Sequence, residues 1–219
     1  MLVFPSQESS FLYPGPVGNI EVLTTVPEKN PLSASVIICH PHPLYGGTMT
    51  NKVVSTLARA FHNLGLRTVR FNFRGVGKSA GTHDEGKGET ADLLELAYWL
   101  QMLFPNDELW LAGFSFGGFV AASASTQLSI AQLISVAPQV SRFISPKLPP
   151  ITCPWLIIQG EEDEVVSPQE LYDWIDTLTL KPRLIRIPSA GHFFHGQLIR
   201  LRETLEQVFV AGSPSDDRL

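Results

Sequence analysis

The chain is short of charge, short of cysteine and without a long hydrophobic run. Asp, Glu, Lys and Arg make up 17% of its 219 residues, below the usual quarter, which argues against long disordered tracts. A net charge of -5 leaves no basic footprint for nucleic acid or an anionic membrane. The two cysteines, Cys39 and Cys153, both fall inside apolar runs. They read as buried thiols, not as a disulfide framework. No basic segment leads into an apolar one at the N-terminus, so no signal peptide is expected. The longest mostly apolar run, 109–122, is too short to cross a bilayer. These absences predict a soluble, cytoplasmic protein with neither nucleic acid nor membrane as a partner.

What the chain does have is apolar content, 44% over its length. That suffices for one domain with a sizeable core. No internal repeat or interdomain linker is visible, so residues 1–211 read as a single domain. Residues 212–219 read as a disordered polar tail. Two short strands, 10–13 and 19–26, flank the turn Pro14-Gly15-Pro16-Val17-Gly18, as in an antiparallel hairpin at a sheet edge. Residues 34–40 form a near-continuous apolar run, the pattern of a fully buried strand. The loop 41–47 follows, where two prolines and two glycines argue against regular structure.

The period then changes. Val53, Val54, Leu57, Phe61 and Leu64 follow helical spacing, with Gly65 placed to end the helix. Residues 66–73 return to strand character, and 74–88 form a glycine-rich loop. Leu93, Leu94, Ala97, Leu100 and Phe104 mark a second helix. Strands are predicted at 108–112, 132–137, 151–159 and 183–187. Helices are predicted over 116–125, from the capping box Ser167-Pro168-Gln169-Glu170 onward, and through Leu198, Leu201, Leu205, Val208 and Phe209. Such alternation implies an α/β fold with a mostly parallel sheet and helices on both faces. Ligands of such sheets bind beyond the carboxyl ends of the strands, so candidate residues should lie just after a strand.

Gly113-Phe114-Ser115-Phe116-Gly117 meets that test. The G-x-S-x-G pattern, between a strand and a helix of small residues, puts a serine on a sharp, strained turn beside a helix N-terminus. A nucleophile there lies where helix N–H groups stabilise developing negative charge. The run Glu161-Glu162-Asp163-Glu164 follows a later strand. Three of these acids read as a solvated turn. The frame G-x-x-D-x-x-V picks Asp163 as the acid, with Val165 and Val166 returning the chain to the core. His192 follows the last strand, in Pro188-Ser189-Ala190-Gly191-His192, and is favoured as the base over His195. His195 could line the pocket or cap the last helix. A serine needs such a base to attack at neutral pH. The oxyanion that forms needs two N–H donors. Phe116 offers one. His42, Leu44 and Tyr45 are candidates for the other, because Pro41 and Pro43 have no N–H, and Leu44 is preferred.

Three other patterns carry less. Gly77-Lys78-Ser79 resembles the end of a phosphate-binding loop, but Asn72 stands where its first glycine belongs. Gly75-Val76-Gly77-Lys78-Ser79-Ala80 fits a dinucleotide fingerprint only if a helix opens there, and the chain continues as loop. His40-Pro41-His42 has no third metal ligand at a sensible spacing.

With these residues in place, the chain resembles the α/β-hydrolase superfamily along almost its whole length. Arg74-Gly75-Val76-Gly77-Lys78-Ser79 looks like that superfamily's R-G-x-G-x-S segment. The stretch from His40-Pro41-His42-Pro43 to Gly47, Phe71-Asn72-Phe73-Arg74-Gly75 and the serine motif are similar to those of small bacterial hydrolases related to dienelactone hydrolases and CocE/NonD-type enzymes. The resemblance implies a triad of Ser115, Asp163 and His192. The serine departs from dienelactone hydrolase, which has cysteine there, so its lactone substrate does not carry over.

Only 13 residues, 138–150, connect the strands between which lipases and many esterases insert a lid. The site is therefore expected to be lidless and open. Tyr45, Phe193 and His195 are expected to line a pocket for a small-molecule substrate. Hydrolysis of small soluble esters or thioesters is the expectation, with no metal and no organic cofactor. A peptidase or amide hydrolase of the same fold, or a non-catalytic binding protein on this scaffold, remains the alternative. A homodimer through an edge strand is compatible with the pattern.

Overall fold

The computed structural model describes residues 3–144 and 148–210; the predicted tail lies outside them. One eight-stranded sheet carries the chain: β1 (Ser9–Gly15), β2 (Gly18–Thr25), β3 (Ala34–Cys39), β4 (Arg67–Phe71), β5 (Glu108–Phe114), β6 (Gln132–Val136), β7 (Trp155–Gly160) and β8 (Arg183–Ile187). Their spatial order is β1-β2-β4-β3-β5-β6-β7-β8. The β1–β2 and β2–β4 pairs are antiparallel, and all other pairs are parallel. Six helices accompany them among the described residues: α1 (Lys52–Asn63), α2 (Lys87–Leu103), α3 (Phe116–Ser125), the single turn α4 (Ser141–Ile144), α5 (Pro168–Asp176) and α6 (Leu198–Val210).

Strand β3 shows why both faces must be covered. All six of its residues are buried. Val36 and Ile38 point into a core shared with Val54, Leu57 and Phe61 of α1 and Leu201 and Leu205 of α6. Ile37 and Cys39 point the other way, towards Leu93 and Leu96 of α2 and Val120 of α3. Period-two alternation thus feeds two apolar layers from one strand.

Several boundaries differ from the expectation. The loop 41–47 contains one 3-10 turn, Pro43–Tyr45, because Pro43 presets its first φ and the His42 side chain accepts the Leu44 N–H. Strand β7 starts at Trp155, not at 151, since Pro154 has no N–H for the ladder. Cys153 therefore lies outside the sheet and is only half-buried, whereas Cys39 is buried as expected. The later start of β7 lengthens the connection from β6 beyond the predicted 138–150 to 137–154, and helix α4, too short to leave a periodic signal, sits in it.

The glycine-rich loop between β4 and α2 is held by polar contacts. Arg74 donates Nε and Nη2 to the two carboxylate oxygens of Asp92, at 2.9 and 2.7 Å. Ser79 donates its hydroxyl to the Asn72 carbonyl and accepts the Glu21 N–H. The resemblance to phosphate and dinucleotide loops ends here, because Ser79 is spent on the fold and no helix opens until Lys87. Arg74→Leu should leave the buried Asp92 carboxylate unpaired and cost about 3–5 kcal/mol. Thermal unfolding should show a loss on the order of 10 °C for a chain of this size. Arg74→Leu/Asp92→Leu should recover part of it.

Candidate active site

Ser115 occupies the turn between β5 and α3, with φ 55° and ψ -120°. Few non-glycine residues tolerate that conformation. Two glycines make the turn possible. A Cβ on Gly113 would lie 2.1 Å from the Gly117 carbonyl oxygen, and one on Gly117 would lie 2.4 Å from that of Cys39. Strand and helix approach so closely that neither position admits a side chain. The turn is pinned by Ser115 N–H to Val136 O at 2.9 Å and Gly118 N–H to Ser115 O at 2.9 Å.

The loops after β7 and β8 bring the other two residues in. Glu161 N–H donates to Ile187 O, and Glu162 N–H to Ala190 O. His192 Nε2 lies 3.1 Å from Ser115 Oγ, and its Nδ1 lies 2.9 Å from Asp163 Oδ2. All three residues are buried, with Ser115 8% exposed. Asp163 Oδ1 accepts the N–H groups of Val165 and Val166, at 2.9 and 2.7 Å. Burial pushes the Asp163 carboxyl up, but its hydrogen bonds from His192, Val166 and Val165 outweigh this and hold it below its ordinary value. Val166 packs into the core as expected, whereas Val165 is exposed and serves through its backbone N–H.

Sequence reasoning missed two supporting residues. Gln159, on β7, donates Nε2 to Asp163 Oδ2 at 2.9 Å. Glu164, taken as part of a solvated turn, accepts the backbone N–H of His192 at 3.1 Å. A glutamine ending the apolar run just ahead of the acidic one is the available signal for the first. Nothing local marks the second, because its partner is 28 residues away.

On the other side of the serine, the buried Phe116 ring packs 4.7 Å from the His42 ring, centroid to centroid. The Leu44 N–H is given to His42 Nδ1, and the Tyr45 N–H to His42 O. The backbone N–H groups of His42 and Phe116 have no acceptor among the described residues. This changes the preference among the three candidates for the second donor, because Leu44 and Tyr45 spend theirs within the 3-10 turn. The Tyr45 and Phe193 side chains are exposed, at 87% and 40%. Phe193 stands edge-on to the His192 ring, and exposed His195 lies beside Phe193. Phe114 and Phe194 are core.

His42, His83 and Glu85 bring three potential metal-ligand atoms within 4.8 Å of one another, a grouping that 40 intervening residues hide from the sequence. Arg142 already places a cation there, its Nη2 at 3.3 Å from His42 Nε2 and 2.9 Å from Glu85 Oε2. A metal ion would have to displace that guanidinium, so the residues fit a protein-supplied cation better. His40 is also accounted for. Its Nδ1 meets Pro41 O at 2.6 Å and its Nε2 accepts the Phe73 N–H at 2.9 Å, which ties β3 to the end of β4.

Burial pushes the His40 imidazole down to about 4, against the raising effect of its Pro41 hydrogen bond. The unfolded chain therefore takes up a proton near pH 6.5 that the folded chain refuses until about pH 4. Stability should fall as pH drops through that window, by up to roughly 3 kcal/mol. The lowered Asp163 carboxyl should add a loss only below its unfolded value. Urea midpoints measured against pH check this: His40→Asn should flatten the window between pH 6.5 and 4, which a dominant role for other groups would leave intact.

A strand–serine–helix elbow on a mostly parallel sheet, with His192 and Asp163 hydrogen-bonded in series to the serine, defines an α/β serine hydrolase fold. The family model for the alpha/beta hydrolase fold matches residues 35–153, more than half of the chain, and the chain belongs to that family. It is similar to an α/β serine hydrolase without a lid from Xanthomonas campestris, with 43% identity, coverage of 99% of this chain and 100% of that one, and a TM-score of 0.92. An α/β serine hydrolase homologue from Coxiella burnetii is 47% identical over 94% of this chain and 99% of that one, with a TM-score of 0.90. Dienelactone hydrolase from Anabaena variabilis shares the fold at 19% identity, covering 94% and 98% of the two chains, with a TM-score of 0.75. No helix among the described residues is long and apolar enough to cross a membrane.

Proposed function

We propose that the protein hydrolyses small soluble carboxylic esters or thioesters through an acyl-enzyme on Ser115. The observation that carries this reading is the unbroken series Ser115 Oγ, His192 Nε2, His192 Nδ1 and Asp163 Oδ2, with contacts of 3.1 and 2.9 Å. In this reading His192 takes the serine proton during attack and returns it to the leaving alcohol or thiol. Asp163 holds the imidazole with its proton on Nδ1 and stabilises the imidazolium. The Phe116 N–H and, in place of Leu44, the His42 N–H receive the oxyanion, each worth about 3 kcal/mol to the transition state. Water then enters the open site and releases the acid by the same steps in reverse order.

The substrate class rests on the surroundings. Among the described residues, the connection between β6 and β7 holds one helical turn and no larger insertion over the site. Tyr45 and Phe193 offer exposed apolar surface beside His42 and His192. A short apolar acyl group suits that surface better than a long chain or a peptide. Fluorophosphonate labelling, together with p-nitrophenyl esters of rising acyl length, acyl thioesters and matched anilides, tests the reading. Labelling at Ser115 and turnover confined to short esters or thioesters is the expected result. Preferential cleavage of anilides would replace it with an amide hydrolase.

A further inference from the structure

Away from Ser115, α1, β2 and β4 line a half-open cavity of about 260 Å³. Arg70 of β4, Thr25 of β2, Ser55, Arg59 and His62 of α1 and Glu8 line it. Arg70 is the unusual member. It is only 9% exposed, yet no carboxylate among the described residues forms an ion pair with it. Its Nη1 donates to Ser55 Oγ at 3.2 Å, and its buried Nε has no hydrogen-bond partner. The buried Nδ1 of His62 is also without a partner. Elsewhere in the chain, buried Arg74 has a bidentate carboxylate. A buried guanidinium without one is strongly disfavoured unless something else supplies the negative charge. Burial indeed lowers the Arg70 pKa, and the carboxylate of Glu8 raises it only in part.

We propose that this cavity binds a small oxyanion of the phosphate class, seated on Arg70 with Arg59 at its mouth and Ser55, whose hydroxyl donates to the Thr50 carbonyl at 3.4 Å, on its wall. The guanidinium fork matches phosphate geometry. Arg59 is exposed and free of ion pairs among the described residues, so it adds a second positive charge. The cavity has room for more than the anion itself, so its occupant is either free phosphate or the phosphate group of a small organic phosphomonoester. Glu8 is the one acidic group on the lining and opposes the anion. None of the lining residues belongs to the Ser115, His192 and Asp163 series, so occupancy is independent of the proposed esterase reaction.

Calorimetric titration and thermal unfolding of the full chain test the site, with ionic strength held constant by sodium chloride. The probes are inorganic phosphate, glycerol phosphate and acetate. Wild type should bind phosphate saturably and unfold at a higher temperature in its presence. Arg70→Met should weaken binding at least about tenfold, and exposed Arg59→Gln, which does not threaten folding, should weaken it severalfold. Glu8→Gln should tighten it. Hydrolysis of a short ester should be unchanged in Arg70→Met, which separates this site from the triad. Tighter binding of glycerol phosphate would identify an organic phosphomonoester as the occupant, and equal binding the free ion. No stabilisation beyond that of chloride, equal binding by Arg70→Met, or acetate bound as well as phosphate would overturn the proposal.

Discussion

Ser115→Ala should lower kcat by about 10⁶-fold on any ester the protein turns over. The loss is that large because the hydroxyl has no substitute: no other nucleophile lies within the Asp163–His192 series, and His192 Nε2 faces Ser115 Oγ at 3.1 Å. Alanine keeps the same Cβ at φ 55°, so the elbow is no more strained than before. The Val136, Gly118 and Gly117 backbone contacts are untouched. Unfolding should therefore stay near wild type while turnover and fluorophosphonate labelling vanish. The residual rate belongs to binding and the oxyanion donors. Near-normal turnover by a folded variant would mean that another group attacks.

Asp163→Asn should cost about 10⁴-fold in kcat at neutral pH, for a reason the hydrogen bonds make specific. Oδ1 accepts two backbone N–H groups, from Val165 and Val166. An asparagine must keep its oxygen there. Its NH₂ then takes the place of Oδ2, facing His192 Nδ1 and Gln159 Nε2. Gln159 can answer by turning its unpartnered Oε1 towards the new amide. His192 can answer only by accepting at Nδ1, which moves its proton to Nε2. An imidazole protonated there cannot take the proton of Ser115. The fold should be retained and the rate lost, measured as kcat beside an unchanged circular dichroism spectrum. A fall of less than tenfold would show that the carboxylate does not set the tautomer.

Both predictions depend on residues that local patterns pick out. The elbow is visible because G-x-S-x-G between an apolar strand and small helical residues has few other uses. Asp163 and His192 are visible because parallel sheets place reactive groups after strands. Their partners were less legible. Glu164 looks like one more solvated acid until the loop after β8 brings the His192 N–H to it. Leu44 looks like a free donor until His42 is seen to cap the 3-10 turn and take its N–H. The Arg142 guanidinium reaches His42 across 100 residues of sequence, and Arg70 shows as lacking an ion pair among the described residues only once their carboxylates have positions.

Read along the chain, the order of strands and helices, the elbow and the identity of the three aligned residues follow from periodicity, glycine placement and position relative to strand ends. These are short-range properties, set by backbone sterics and by which face of an element is apolar. Hydrogen-bond ownership is a different matter. Which N–H remains free for an oxyanion, which acid steadies the histidine and which arginine lacks a counter-charge are decided by contacts between distant segments. The sheet brings those segments together, and only folding assigns each donor its acceptor.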